Sequence, residues 1–144
     1  MTISRHNPAE LHVTPGYHHV TMVTDARLVF LAGQCPLRPD GSTVGRDRQP
    51  GETDLDIALA QTDQIVENTM VALASVGATP EEVVRTTIYV ACDDQRVLAD
   101  VWARFNASAL APAFSTASTL VGVVRLGFIG QLVELDVTAA LPLD

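Results

Sequence analysis

At 144 residues, 47 % of them hydrophobic, the chain has the length and composition of one domain with a single core. A formal charge of −8, with nine Lys and Arg scattered singly, opposes contact with phosphate backbones and excludes nucleic acid as a partner. Cys35 and Cys92 show neither CxxC nor Cys/His spacing, which argues against a metal site or a disulfide scaffold. No signal-like leader or run of about 18 apolar residues occurs, so the sequence reads as one cytoplasmic domain over 1–144 with no membrane partner.

Residues 1–15 are polar and carry Pro8 and Pro15, the composition of a loosely held arm ending at the Pro15-Gly16 turn. Tyr17 to Val23 alternates as a strand, with Tyr17, His19 and Thr21 on one face and His18, Val20 and Met22 on the other. Thr24 to Arg27 reads as a turn. The unbroken apolar run Leu28 to Ala32 then predicts a strand buried on both faces, the pair forming a hairpin. Pro36 to Gly51, with the turn signal Pro39-Asp40-Gly41-Ser42, is expected to be the least ordered interior segment.

From Thr53 the period changes. Leu55, Ala58, Leu59, Thr62, Ile65, Val66, Thr69, Met70, Leu73 and Val76 recur at intervals of three and four, predicting a helix capped by Thr53 or Asp54 and ended by Gly77. Thr79-Pro80-Glu81-Glu82 suits a short helical turn, and the β-branched run Val83 to Val90 a strand beneath the helix. Val97, Leu98, Val101, Trp102 and Phe105 predict a second helix within 93–109 on the same sheet face, with Trp102 and Phe105 in the core. Ala111 to Thr119 reads as a loop, Leu120 to Val124 as a strand, Gly127 to Gly130 as a turn and Leu132 to Ala140 as the last strand. That strand turns Val133, Leu135, Val137 and Ala139 to one face and Glu134, Asp136 and Thr138 to the other.

The sheet therefore has a greasy face under two helices and a face that carries charge. Either the carboxylates are simply solvated, or sheets from several subunits meet and turn them into walls of interfacial pockets.

Four segments resemble the Rid family, the reactive-intermediate deaminases also called YjgF-like proteins. They are Gly16-Tyr17, Leu28 to Gln34 with Pro36 beyond, the helix and Gly77 unit ending at Val83 to Val90, and Val121 to Leu126 leading into Leu132 to Asp136. The resemblance implies an α+β, chorismate-mutase-like sheet with two helices packed on one face. It also implies a barrel-like homotrimer with a small-molecule pocket at each subunit boundary. Typical members hydrolyse enamines or imines to a keto acid and ammonia without metal or organic cofactor. A glutamate on the last strand helps activate water, matched here by Glu134.

Such members clamp the substrate carboxylate with an arginine ahead of the penultimate strand. Alignment on Val121 to Leu126 puts Ser118 there, and alignment on Pro112-Ala113 puts Phe114; neither makes a bidentate, charge-assisted contact. Ala32 and Ala99 replace a common serine and asparagine. The resemblance thus implies a divergent hydrolase for a small imine, enamine or related reactive metabolite, not the usual carboxylated imino acid. The same scaffold could also serve as a non-catalytic ligand-binding protein. Candidate substrate-binding residues are Tyr17, His19, Gln34, Ser118, Thr119 and Arg125, with Glu134 catalytic; Arg125 could act as a displaced clamp. Of the adjacent His18 and His19 only one can face a pocket, and His19 shares the face of Tyr17. Cys35 follows the Gly33-Gln34 pair without a neighbour that would mark it as a thiolate nucleophile.

Overall fold

The computed structural model describes residues 1–143. At its centre is β4 (Val83–Val90), the strand expected from the β-branched run. It pairs in parallel with β5 (Ala117–Gly122) and antiparallel with β6 (Val133–Pro142), and β3 (Ala26–Phe30) closes the other edge against β6. The parallel pair exists because α2 (Gln95–Asn106) supplies the crossover that parallel neighbours need. Beside α2 lies α1 (Asp54–Ser75), joined to it by a forked Arg104–Asp63 pair at 2.7 and 2.6 Å. Two helices on one mixed four-stranded sheet make an α+β fold, as expected.

Local chemistry fixes both ends of α1. The Thr53 hydroxyl accepts from the Asp56 N–H, and the Asp56 carboxylate accepts from the Thr53 N–H, which holds that carboxyl below its usual range. At the far end Gly77 has φ +75°, which lets the N–H groups of Gly77 and Ala78 donate back to Ala74 and Leu73. Of the expected stripe, Ala58, Thr62, Ile65, Thr69 and Leu73 are buried, and the two threonines donate to the carbonyls of Ala58 and Ile65. Val76, expected in the stripe, is 43 % exposed, while Ile57 and Gln61 are buried without having been singled out. Phe105 is buried as expected and packs on Phe114 from the short 3-10 turn 111–115; Trp102 is half-buried.

Several sequence expectations are corrected. The N-terminal segment is not a loose arm, since β1 (Thr2–His6) pairs antiparallel with β2 (Val20–Thr24), and Arg5 donates to the carbonyls of Glu81 and Val83. With Ile3 its one large apolar residue, β1 carries almost no periodic signal. The expected hairpin does not form. Asp25 turns the chain with φ +53°, but β2 stays with β1 and β3 joins β6. Nor is β3 buried on both faces: Val29 and Leu31 pack on the core, whereas Leu28 and Phe30 are 51 % and 74 % exposed. The penultimate strand begins at Ala117, inside the expected loop, because Ser118 bonds to Thr86 on β4 (Oγ to Oγ, 2.7 Å). Residues 36–51 form no helix or strand, yet Asn68 and Gln61 tie them to α1 through the carbonyls of Leu37 and Val44.

Candidate functional site

Strand register decides which candidates share a face. Residues directly opposite each other point the same way, so the face away from the helices is built of rows. Glu134 stands beside Tyr89, Asp136 beside Thr87 and Thr119, and Thr138 between Phe30 and Arg85. Glu134, Asp136 and Thr119 therefore lie on one surface.

Both carboxylates are held. The Tyr89 hydroxyl donates to Asp136 Oδ2 at 3.1 Å; burial, with the carboxylate second, pushes that phenol up. Gln131, which is 4 % exposed, donates Nε2 to Glu134 Oε2 at 3.2 Å and accepts from the Phe128 N–H. On its other side Glu134 rests against bare backbone: a Cβ placed on Gly33 would fall 2.0 Å from Glu134 Oε1. Cys35 sits close by. Burial first and the Glu134 charge second push its thiol up, so it is protonated at neutral pH and unsuited to nucleophilic attack.

Gln34 is positioned mainly by its backbone, which exchanges hydrogen bonds with Leu135 at 2.8 and 3.1 Å, while its side-chain amide donates to Ala32 O. Gly33, Gln34 and Cys35 line an open groove of about 380 Å³ that runs toward Phe128. A second cleft, of about 220 Å³, opens beside Asp136 and is walled by Phe30, Leu31, Thr87 and Arg85. The sequence reading did not single out Arg85, because an arginine alternating within a strand carries no distinctive motif.

Tyr17 and Ser118 lie elsewhere. Ser118 points to the helix side, and with Tyr17, Pro15, Ala99, Trp102 and Leu120 it lines an apolar cleft of about 140 Å³. Aromatic edges brace this cleft: Tyr17 meets Trp102 at 6.3 Å and His19 at 5.9 Å, and a ring nitrogen of His12 shares a hydrogen bond with the Tyr17 hydroxyl at 3.1 Å. His19 bonds the carbonyl of His12, and His18 is tied to that of Ser115. Phe114 is fully buried, and among the described residues no cation lines this cleft. Arg125 is exposed on the loop after β5, in a shallow groove with Val124 and Phe128. One chain thus keeps Glu134 and Thr119 on one side of the sheet and Tyr17 and Ser118 on the other.

Residues 9–141 match the family model described as Endoribonuclease L-PSP. Among solved structures the chain is similar to YyfB of the conserved Rid protein family from Yersinia pestis, with 30 % identity, 98 % of this chain and 100 % of that one covered, and a TM-score of 0.81. It is also similar to YyfA from the same organism (24 % identity, 97 % and 100 % covered, TM-score 0.64). Rv2704 of the YjgF/YER057c/UK114 family from Mycobacterium tuberculosis gives 25 % identity, 97 % and 100 % covered, and a TM-score of 0.53. No curated protein matches. Among the described residues no helix is long and apolar enough to cross a membrane.

Proposed function

Because the chain belongs to the Endoribonuclease L-PSP family that includes the Rid proteins, we propose that it is a cofactor-independent hydrolase of a small imine or enamine, its site formed where copies of a homotrimer meet. The observation that carries this reading is the division of polar groups between two sheet faces. Side chains on opposite faces of a sheet cannot line one cleft, so the Tyr17–Ser118 cleft and Glu134 can join only across a boundary between chains. Phe30, exposed in the cleft beside Asp136, and Leu28, exposed further along the same edge strand, give a second copy an apolar surface to cover.

The chemistry asks for little. An enamine tautomerises to an imine, and water adds to the imine carbon as Glu134 takes its proton. The nitrogen, protonated in turn, leaves as ammonia when the C–N bond breaks, so the imine and water give a carbonyl compound and ammonia. Gln131 and Gly33 hold Glu134 in one place, which is the positioning that general-base catalysis needs. Asp136 and Tyr89 form the adjoining polar pair. Ribonuclease action, which the family's name carries, is disfavoured by the charge of −8 and by a candidate surface bearing two carboxylates.

The test combines mass and rate. Light scattering is expected to give three times the 15.4 kDa of one chain. Imines released in place by an amino-acid oxidase are expected to be hydrolysed faster with the protein, and Glu134→Ala is expected to lower that acceleration about 100-fold. A lone subunit, or equal rates with and without protein, overturns the proposal.

A further inference from the structure

We infer that the cleft between Tyr17 and Trp102 holds an uncharged hydrocarbon group of phenyl size, so that the substrate is a neutral aryl imine. The inference rests on the hydrolase reading above and assigns its substrate class.

The walls of this cleft have no polar side-chain oxygen left to offer. Pro15, Tyr17, Ala99, Trp102 and Leu120 line it together with Ser118, and both hydroxyls among them are already engaged. Ser118 Oγ accepts from the Thr86 hydroxyl at 2.7 Å and donates to the Phe114 carbonyl at 3.2 Å. The Tyr17 hydroxyl is shared with a ring nitrogen of His12 at 3.1 Å. Among the described residues no charged side chain lines the cleft. A carboxylate entering from water would shed its hydration and meet no cation, whereas a hydrocarbon group loses nothing and leaves water.

Size and shape narrow the occupant. An apolar cavity of about 150 Å³ stays dry and admits benzene. This cleft holds about 140 Å³. Tyr17 and Phe114 both meet Trp102 edge-on, with ring centroids 6.3 and 5.9 Å away, which holds the indole as a flat wall for a second ring. Ala99 lines the cleft from α2 with a single methyl and leaves the width that a ring needs. A phenyl group anchored there presents its C=N carbon at the mouth, where the Glu134 of a second copy supplies the base. Benzaldimine is the simplest such substrate: with one water it gives benzaldehyde and ammonia, C=O replacing C=N.

Trp102 is the only tryptophan in the chain, so its fluorescence reports occupancy of the cleft directly. Benzyl alcohol, neutral and ring-bearing, is expected to change that emission saturably in wild type, and pyruvate to leave it unchanged. Ala99→Leu fills the cleft from an exposed helix position; it should weaken benzyl alcohol binding about tenfold or more while keeping the circular dichroism spectrum and the molar mass. In turnover, the imine that a flavin amine oxidase releases from benzylamine is expected to show a kcat/KM about tenfold or more above that of the imine an amino-acid oxidase releases from alanine, and Ala99→Leu should remove the preference. Because the chain has no lysine, the aldehyde product finds no side-chain amine to condense with. Equal benzyl alcohol affinity in wild type and Ala99→Leu overturns the inference. So does an unsaturable response in wild type, the result expected if a side chain of a second copy already fills the cleft, or an alanine imine turned over as well as the aryl one. The hydrolase reading fails separately, when benzyl alcohol saturates the Trp102 signal in wild type but neither imine is accelerated.

Discussion

Replacing Gln61 by leucine is expected to destabilise the fold by about 4 kcal/mol, the largest stability loss we anticipate from one substitution outside the aromatic core. Gln61 is fully buried on α1, and its amide makes four hydrogen bonds to backbone. Nε2 donates to the carbonyls of Val44 and Gly130, both at 2.8 Å, and Oε1 accepts from the N–H groups of Leu132 and Val133 at 2.7 and 3.1 Å. Leucine fills the space and leaves all four groups unpaired. A buried group stranded in this way costs about 1–3 kcal/mol, and water entry at the less buried Val44 and Gly130 carbonyls reduces the sum. Urea denaturation at unchanged slope should show the loss, with a fall in Tm on the order of 10 °C. A loss below about 1 kcal/mol would mean that those backbone groups find other partners.

Gly33→Ala is expected to lower hydrolysis about 100-fold while leaving the fold nearly as stable as wild type. The added methyl would occupy the place of Glu134 Oε1, 2.0 Å away, and what must yield is the far end of a flexible side chain rather than backbone. The conformation at Gly33 is not one reserved for glycine, so no backbone strain accompanies the change. Once the carboxylate swings out, it loses the Gln131 amide and its aim at the water. Activity should fall about 100-fold, as in Glu134→Ala, with Tm little changed. Full activity in Gly33→Ala would show that the position of Glu134 is irrelevant to the reaction.

The parts of the fold that were legible in the sequence are those in which period and capping agree. Thr53, Gly77 and the Thr79-Pro80 pair bracket α1 and the turn after it, and Val83 to Val90 is the strand as read. What was hidden depends on partners distant in sequence. The strand β1 is polar and exists because β2 lies beside it; Leu28 and Phe30 belong to an apolar run, yet the edge position of β3 leaves one side open. Gln61 interrupts an apolar stripe and carried no signal until its four backbone partners were brought to it. The alternation that put Glu134 and Asp136 on one face was readable from β6 alone. That Arg85 joins them is a consequence of register between β4 and β6, which no local pattern encodes.

The placement of Tyr17 and Glu134 on opposite sides of one sheet has a genetic corollary. If each reaction centre draws those two groups from different copies, a Tyr17→Ala chain and a Glu134→Ala chain, each inert alone, should rescue one another when refolded together. Random mixing in equal amounts would leave roughly one centre in four with both groups intact, and activity should return to that fraction.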